Sequence, residues 1–212
     1  MTQKQRYEHV LKWFMENCEE ADSELNFSNN FELLVAVVLS AQCTDRRVNM
    51  VTPALFEKMP TAKVMSQSSE TEIYELIKSV SYPNSKAKYL HELSCVLEQE
   101  FGGVVPDSLE ELRRLPGVGQ KTANVVLAVA FNKPAMPVDT HVFRVSNRIG
   151  LTNNSPSPKE TEKVLVKNIP QEILSKAHHW LLLHGRYVCT ARNPKCGECG
   201  LKPYCKNSVK TA

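Results

Sequence analysis

Several features are missing from this sequence, and each absence narrows what the chain can be. It has no run of about 18 apolar residues, so no membrane span is expected. The opening MTQKQRYEHV has no basic segment followed by an apolar one, so no secretory signal is expected. A reducing compartment is then the default, where crowded cysteines suggest metal before disulfides. No stretch alternates apolar and polar residues long enough to suggest a sheet. There is no internal repeat and no low-complexity tract. A large charge of one sign is absent too, since the formal net charge is +3.

The 212 residues suffice for one large domain or two small ones. A 42% hydrophobic share with charges mixed throughout describes a soluble globular chain rather than a disordered one. The small net charge hides a split. Residues 1–100 carry ten Lys and Arg against fifteen Asp and Glu, a balance of −5, while residues 101–212 carry sixteen against eight, a balance of +8. A basic half suits a polyanionic partner; the plainer reading is a solvated basic face.

The pattern is helical almost everywhere. Residues 3–20 read as one amphipathic helix, with Tyr7, Val10, Leu11, Phe14 and Met15 at helical spacing. FELLVAVVLSAQ, 31–42, is apolar nearly all round and reads as a central buried helix capped by Asn30. Residues 84–101 repeat apolar positions at Ala87, Leu90, Leu97 and Phe101. Capping boxes are expected at Ser69 with Glu72, Ser108 with Glu111, and Ser157 with Glu160, the last followed by Pro158. About ten short helices result. GGVVPDS, 102–108, reads as a loop, and LTNNSPSP, 151–158, is the most linker-like stretch. Cys18, Cys43 and Cys95 fall in helical patterns and read as small core hydrophobes.

Three stretches carry chemistry. In LPGVGQKTA, 115–123, a short helix over 108–114 turns through Gly117 and Gly119 into a helix over about 119–131. The glycines allow positive φ and close approach, and the helix start offers backbone N–H groups to an anion such as a phosphate. The plainer reading is a common helix turn. Lys121 then stands in the first helical turn, where a cation is badly placed against the dipole. It reads either as a solvated side chain or as a nucleophilic amine able to form a Schiff base with an aldehyde-like carbon. In PAMPVDTHVFRVSNRIG, 134–150, Asp139 precedes a helix and makes a good N-cap. A carboxylate held that way could also stabilise a positive, sugar-like transition state.

The third stretch, CTARNPKCGECGLKPYC, holds Cys189, Cys196, Cys199 and Cys205 with gaps of six, two and five residues. Four thiolates so close in sequence can converge on one metal centre. A zinc ribbon usually brings two Cys-x2-Cys pairs, and one is present here. The spacing also differs from the ferredoxin patterns. Arg192 and Lys195 lie in the loop so pinned, with Lys176, Arg186, Lys202 and Lys206 nearby as a basic surface.

Together these pieces resemble the endonuclease III group of helix–hairpin–helix DNA repair glycosylases. LPGVGQKTA is similar to the group's hairpin, VDTHVFR to its acidic motif, and the four cysteines to its [4Fe-4S] loop. LSAQCTD at 39–45, NSKA at 84–87 and HHWLLLHGRYVC at 178–189 also match, so the resemblance covers roughly residues 20–206. It implies an all-α, two-domain fold. A six-helix barrel domain over 22–132 would hold the hairpin (about 108–131). Residues 1–21 with 133–212 would form the iron–sulfur domain, and a DNA cleft would lie between the two. Double-stranded DNA with a damaged base or an abasic site is the implied partner, the flipped oxidised pyrimidine the substrate, and a [4Fe-4S] cluster the cofactor. A monomer in the bacterial cytoplasm, associated with the nucleoid and not with membrane, is expected.

By the same resemblance Lys121 attacks the sugar C1′, Asp139 stabilises the developing charge, and β-elimination cuts the strand on the 3′ side. Gln42 fills the gap left by the flipped nucleotide, with Asp45 in the same motif, and Tyr82 is the wedge on the opposite strand. Gly117, Val118, Gly119 and Thr122 hold phosphate, His141 faces DNA, and Arg186, Arg192 and Lys195 add phosphate contacts. Cys189, Cys196, Cys199 and Cys205 are the cluster ligands. The chain departs from the group at Ser81-Tyr82-Pro83, where many members have Gly, a bulky apolar residue and Tyr. Asn193 stands where some have a basic residue, and Cys43 where another small residue is usual. Two other readings stay open: a related adenine-specific mismatch glycosylase, whose members lack the lysine at 121, and a non-catalytic iron–sulfur DNA-binding protein.

Overall fold

The computed structural model describes residues 1–19, 21 and 23–207, and every regular element among them is helical. In chain order these are α1 (Gln3–Asn17), α2 (Asn30–Ser40), α3 (Asp45–Lys58), α4 (Ala62–Gln67), α5 (Glu70–Ile77) and α6 (Pro83–Phe101). Then come α7 (Leu109–Leu112), α8 (Gln120–Phe131), α9 (Thr140–Ile149), α10 (Pro158–Asn168) and α11 (Leu174–Tyr187). Two short 3-10 turns, Gln171–Ile173 and Lys202–Tyr204, complete the set.

Most of these helices begin where a short polar side chain accepts an orphan amide, a bond worth about 1 kcal/mol. Thr2, Asn29, Thr44, Thr61, Ser69, Ser108, Asp139 and Ser157 play this part. The reciprocal box forms at Ser69 with Glu72 and at Thr2 with Gln5. At Ser108 the Glu111 carboxylate instead accepts from the serine hydroxyl, and Glu160 turns away to Lys163. Those two expected boxes are therefore single caps. Helices α6, α8 and α11 start without a side-chain cap. For α11 the preceding 3-10 turn supplies a carbonyl, since the Leu174 amide donates to Gln171 O.

The described residues fall into two compact units, one from Ser23–Asn132 and one from Met1–Asp22 with Lys133–Ala212. In the first, α2 is buried nearly all round, from Phe31 and Leu33 through Leu39, and packs on α3, α6 and α8. Helix α6 lays Leu90, Leu93 and Leu97 against α4 and α5, which contribute Met65, Ile73 and Ile77. In the other unit the core joins Tyr7, Val10, Leu11 and Phe14 of α1 to Val142, Val145 and Ile149 of α9. Leu165 of α10 and Leu174, Ala177, Trp180 and Leu181 of α11 complete it. The Phe14 ring stacks on Trp180 with centroids 5.7 Å apart and planes 6° from parallel. Trp180 Nε1 donates to Cys18 O at 2.8 Å, and Tyr7 Oη donates to Leu151 O at 3.0 Å. Burial pushes the Tyr7 phenol far above its ordinary pKa, which keeps that donor protonated.

Several element boundaries differ from the sequence expectation, each for a local reason. Helix α1 stops at Asn17, whose side chain bonds back to Trp13 O, and the apolar spacing ends in the acidic run beyond. The cap of α2 is Asn29 rather than Asn30, and the helix ends at Ser40, whose hydroxyl donates to Val37 O. Helix α7 is shorter than 108–114 because the chain turns at once into the glycine hairpin. Residues 151–158 are an ordered loop inside one unit, not a linker. Asn147 Oδ1 accepts from Thr152 Oγ1 at 2.5 Å and from the Ser155 amide at 2.8 Å. Cys18, Cys43 and Cys95 are half-buried rather than core, and Cys18 and Cys43 lie outside the helices.

Phe14→Ala should lower the free energy of unfolding by about 3–5 kcal/mol, because it empties the stack under Trp180. Urea titration followed by circular dichroism measures it; a loss under about 1 kcal/mol would contradict this packing.

Candidate functional site

The hairpin is built from the end of α7 and the start of α8. Leu115 and Val118 are buried and hold the turn down, and the Val118 amide closes it by donating to Leu115 O at 3.1 Å. Between them Gly117 has φ +78°, in the left-handed region that glycine tolerates. A Cβ there would lie 2.9 Å from Tyr89 Cβ, so α6 passes too close for any side chain. Gly119 follows in extended conformation as the uncapped start of α8. Only at Ala123 does the ladder begin, with a bond to Gly119 O at 3.0 Å. The amides of Gln120, Lys121 and Thr122 thus have neither an intrahelical partner nor a cap. Gly117, Gly119 and Lys121 are exposed and Thr122 is half-buried. The Val118 side chain and amide are both engaged inside the turn.

Two more predicted residues of this unit share an unusual backbone. Five non-glycine residues among those described have positive φ: Gln42, Tyr82, Asn132, Asn154 and Asn193. Asparagine tolerates the left-handed region, whereas glutamine and tyrosine pay about 1–2 kcal/mol for it. Gln42 (φ 54°) follows the end of α2, and Tyr82 (φ 55°) precedes Pro83 at the start of α6. Both are exposed, Tyr82 at 63%. Asp45 begins α3 and is half-buried. Lys86, in the first turn of α6, sends its ammonium to the carbonyls of Leu39 and Ala41, each at 2.7 Å.

Asp139 lies in the other unit as the N-cap of α9. Its Oδ1 accepts from the Val142 amide at 2.8 Å, which fixes the carboxylate on a half-buried helix start. Met136, Pro137 and Val138, buried just before it, anchor the approach. His141, two residues on, is half-buried where α9 meets α11, and a Cβ at Gly185 would come within 2.8 Å of its Cβ. Its Nδ1 lies 3.2 Å from Arg144 Nη2.

The four clustered cysteines line one pocket, walled also by Ile149, His184, Val188, Pro194 and Leu201. Burial pushes the Cys199 thiol pKa up, and the neighbouring thiols of Cys205, Cys189 and Cys196 push the same way. Four thiolates cannot share an apolar pocket without a compensating cation. Among the described residues no three His, Cys, Asp or Glu side chains converge tightly enough for a single metal ion. Thiols spread around a pocket fit an iron–sulfur cluster, which has volume of its own. His184 Nε2 lies 3.7 Å from Cys199 Sγ, and burial lowers its pKa to about 4, leaving a neutral ring.

Arg144 and Arg148 are features that sequence reasoning missed. Arg144 donates to Gly185 O at 2.7 Å and to Cys189 O at 3.2 Å. Arg148 donates to Thr190 O at 2.7 Å, to Ala191 O at 3.0 Å and to Cys189 Sγ at 3.7 Å. Both guanidiniums therefore tie α9 to the start of the cysteine loop, although by charge count they belong to the basic half. Their spacing of four residues, which puts them on one helix face, was the available signal. Arg192 and Lys195 are exposed in that loop, and Arg186 is half-buried on α11. The loop turns at Asn193 with φ 52°, a conformation asparagine accepts and a basic residue would resist.

Comparison with known proteins places these features in one group. Residues 35–171 match the family described as HhH-GPD superfamily base excision DNA repair protein, and residues 189–205 match the iron-sulfur binding domain of endonuclease III. The chain is 46% identical to endonuclease III of Rickettsia felis, over 96% of this chain and 95% of that protein. It is 47% identical to the Bacillus subtilis enzyme of that name, over 90% and 87%, and 42% identical to that of Escherichia coli K12, over 95% of each. A solved trapped endonuclease III–DNA covalent intermediate superposes with a TM-score of 0.93 at 44% identity, covering 100% of this chain and 99% of that one.

Gly117→Ala should destabilise the protein by about 1–2 kcal/mol from the backbone alone, with more from the contact with Tyr89. Thermal unfolding beside Gly119→Ala, where a Cβ meets nothing within 4 Å, measures it. Equal melting temperatures would contradict the hairpin geometry.

Proposed function

The chain belongs to the endonuclease III family and is a base-excision-repair DNA glycosylase with abasic-site lyase activity, and we propose how its own residues divide that work. Oxidised pyrimidines in duplex DNA are its substrates, and the damaged nucleotide leaves the stack before chemistry. The observation that carries this reading is the uncapped start of α8, with an exposed lysine in its first turn. The open amides after Gly119 take a backbone phosphate, and the Lys121 amine is then next to the sugar.

Lys121 Nζ attacks C1′, and the bond from C1′ to the base breaks as the base leaves. The Asp139 carboxylate stabilises the positive charge that develops on the sugar and accepts a proton from the attacking amine. Ring opening gives a Schiff base between Lys121 and C1′. Loss of a C2′ proton then expels the 3′ phosphate by β-elimination. Water releases the lysine. Gln42 occupies the space left in the duplex, and Tyr82 stacks against the opposite strand, a contact worth about 1–3 kcal/mol. On the same reading Thr122 and His141 each contribute a DNA contact, and Asp45 supports the Gln42 loop.

Cys189, Cys196, Cys199 and Cys205 hold the [4Fe-4S] cluster implied by the matched domain. When bound, the cluster supplies four iron–thiolate bonds that cross-link the loop, and a redox-active centre. The loop itself presents Arg192 and Lys195 to phosphates, with Arg186 behind them. We also propose a cytoplasmic, nucleoid-associated location, where duplex DNA is met.

Borohydride reduction on a duplex with one abasic site should trap a covalent complex with the wild type and none with Lys121→Ala. A complex of equal yield in the variant would remove Lys121 from the mechanism. Asp139→Asn keeps a good cap, so its stability should stay within about 0.5 kcal/mol while base excision slows about 100-fold or more. Single-turnover kinetics beside urea unfolding separates the two roles; a variant that is unstable but fast when folded would make Asp139 a cap alone.

A further inference from the structure

Lys86 is the buried cation that the mechanism above does not use. It is 4% exposed, and among the described residues no carboxylate pairs with it. Its ammonium donates to Leu39 O and Ala41 O, both at 2.7 Å. Those carbonyls belong to the last turn and C-cap of α2, where orphan acceptors are expected. Burial lowers the ammonium's pKa, partly offset by the nearby Cys43 thiol, so the bonds form at a desolvation cost. A local glycine or asparagine cap would satisfy such carbonyls at less cost. The chain instead reaches across 45 and 47 residues to do it.

What the long reach achieves is visible at its two ends. The next residue after Ala41 is Gln42. At the other end, the Lys86 amide donates to Tyr82 O at 3.1 Å. That is the ordinary bond of a first helical turn; it is the Lys86 side chain that ties the turn following Tyr82 to the stretch preceding Gln42. Tyr82 starts a helix with no side-chain cap, and Gln42 lies in the turn that the Cys43 amide closes on Ser40 O at 3.0 Å. We propose that Lys86 is a positioning residue that holds Gln42 and Tyr82 as one preformed wedge, so that the two enter opposite sides of an opened base pair without first being ordered. This rests on the reading above that both side chains enter the duplex. Preforming strained loops before binding removes an ordering cost from the bound state.

The test uses Lys86→Met, which keeps the aliphatic stem and removes the donors, and Lys86→Arg, which keeps a cationic donor. The probe is a duplex with a tetrahydrofuran abasic analogue opposite 2-aminopurine, whose fluorescence change on binding reports insertion. For Lys86→Met the fluorescence change at saturation should fall, and kcat on an oxidised-pyrimidine duplex should drop about tenfold, the scale of losing a hydrogen bond from a charged group, with KM little changed. Lys86→Arg should recover part of both. Iron content and affinity for undamaged duplex should stay at wild-type values. In a Gln42→Ala, Tyr82→Ala background Lys86→Met should add little, because its partners are gone. If Lys86→Met fails to fold, Lys86→Gln, whose shorter neutral amide cannot reach both carbonyls, decides in its place: a normal fluorescence change and normal kcat would overturn the proposal. Defects in Gln42→Ala and Tyr82→Ala beside a silent Lys86→Met would overturn the role of Lys86 while leaving the wedge. Normal insertion by Gln42→Ala and Tyr82→Ala would overturn the wedge itself, and the proposal with it.

Discussion

The open amides at the start of α8 are the constraint on which the rest depends. At eight of the described helices the chain closes the start with serine, threonine, asparagine or aspartate. Here it places Gly119, which has no side chain to accept. Leaving such donors uncapped forgoes about 1 kcal/mol, and the positive end of the helix remains available to an anion. The glycine turn, the buried Leu115 and Val118, and the close pass of α6 at Tyr89 all serve to keep that end in place. Lys121 gains its meaning from this setting, since a cation in the first turn is unfavourable until a phosphate and a sugar arrive.

Strain is distributed in the same way. The left-handed residues divide into three asparagines, which tolerate the conformation, and Gln42 and Tyr82, which do not. Cores on either side, α2 with its unbroken apolar surface and α6 with Leu90, Leu93 and Leu97, are large enough to impose the conformation. In the other unit order comes from arginine. Arg144 and Arg148 make five contacts around the start of the cysteine loop, so α9, which carries Asp139 at its head, is bonded directly to it.

Much of this was legible in the residues. Helical periodicity located α2, α6 and α8, and the acceptor side chains before α5, α9 and α10 marked their starts, because both signals are local. The spacing of four cysteines indicated a metal centre, and the order of short motifs indicated the family. What could not be read depends on distance along the chain. Nothing local shows that Lys86 reaches Leu39 and Ala41, or that Arg148 serves carbonyls 42 and 43 residues away. Nor did composition reveal that part of the basic half is engaged internally. The end of α1 and the single caps at Ser108 and Ser157 turned on competition between nearby polar groups, which pattern alone does not rank.

The central claim is that the amides after Gly119 receive one DNA phosphate. A scan of an abasic-analogue duplex with a neutral methylphosphonate at each backbone position measures it most directly, by binding at fixed salt. The account predicts that one position next to the lesion costs about tenfold or more in affinity, since charge-assisted bonds from several amides are lost there. A flat profile, in which every position loses only the small uniform amount of one screened charge, would contradict it.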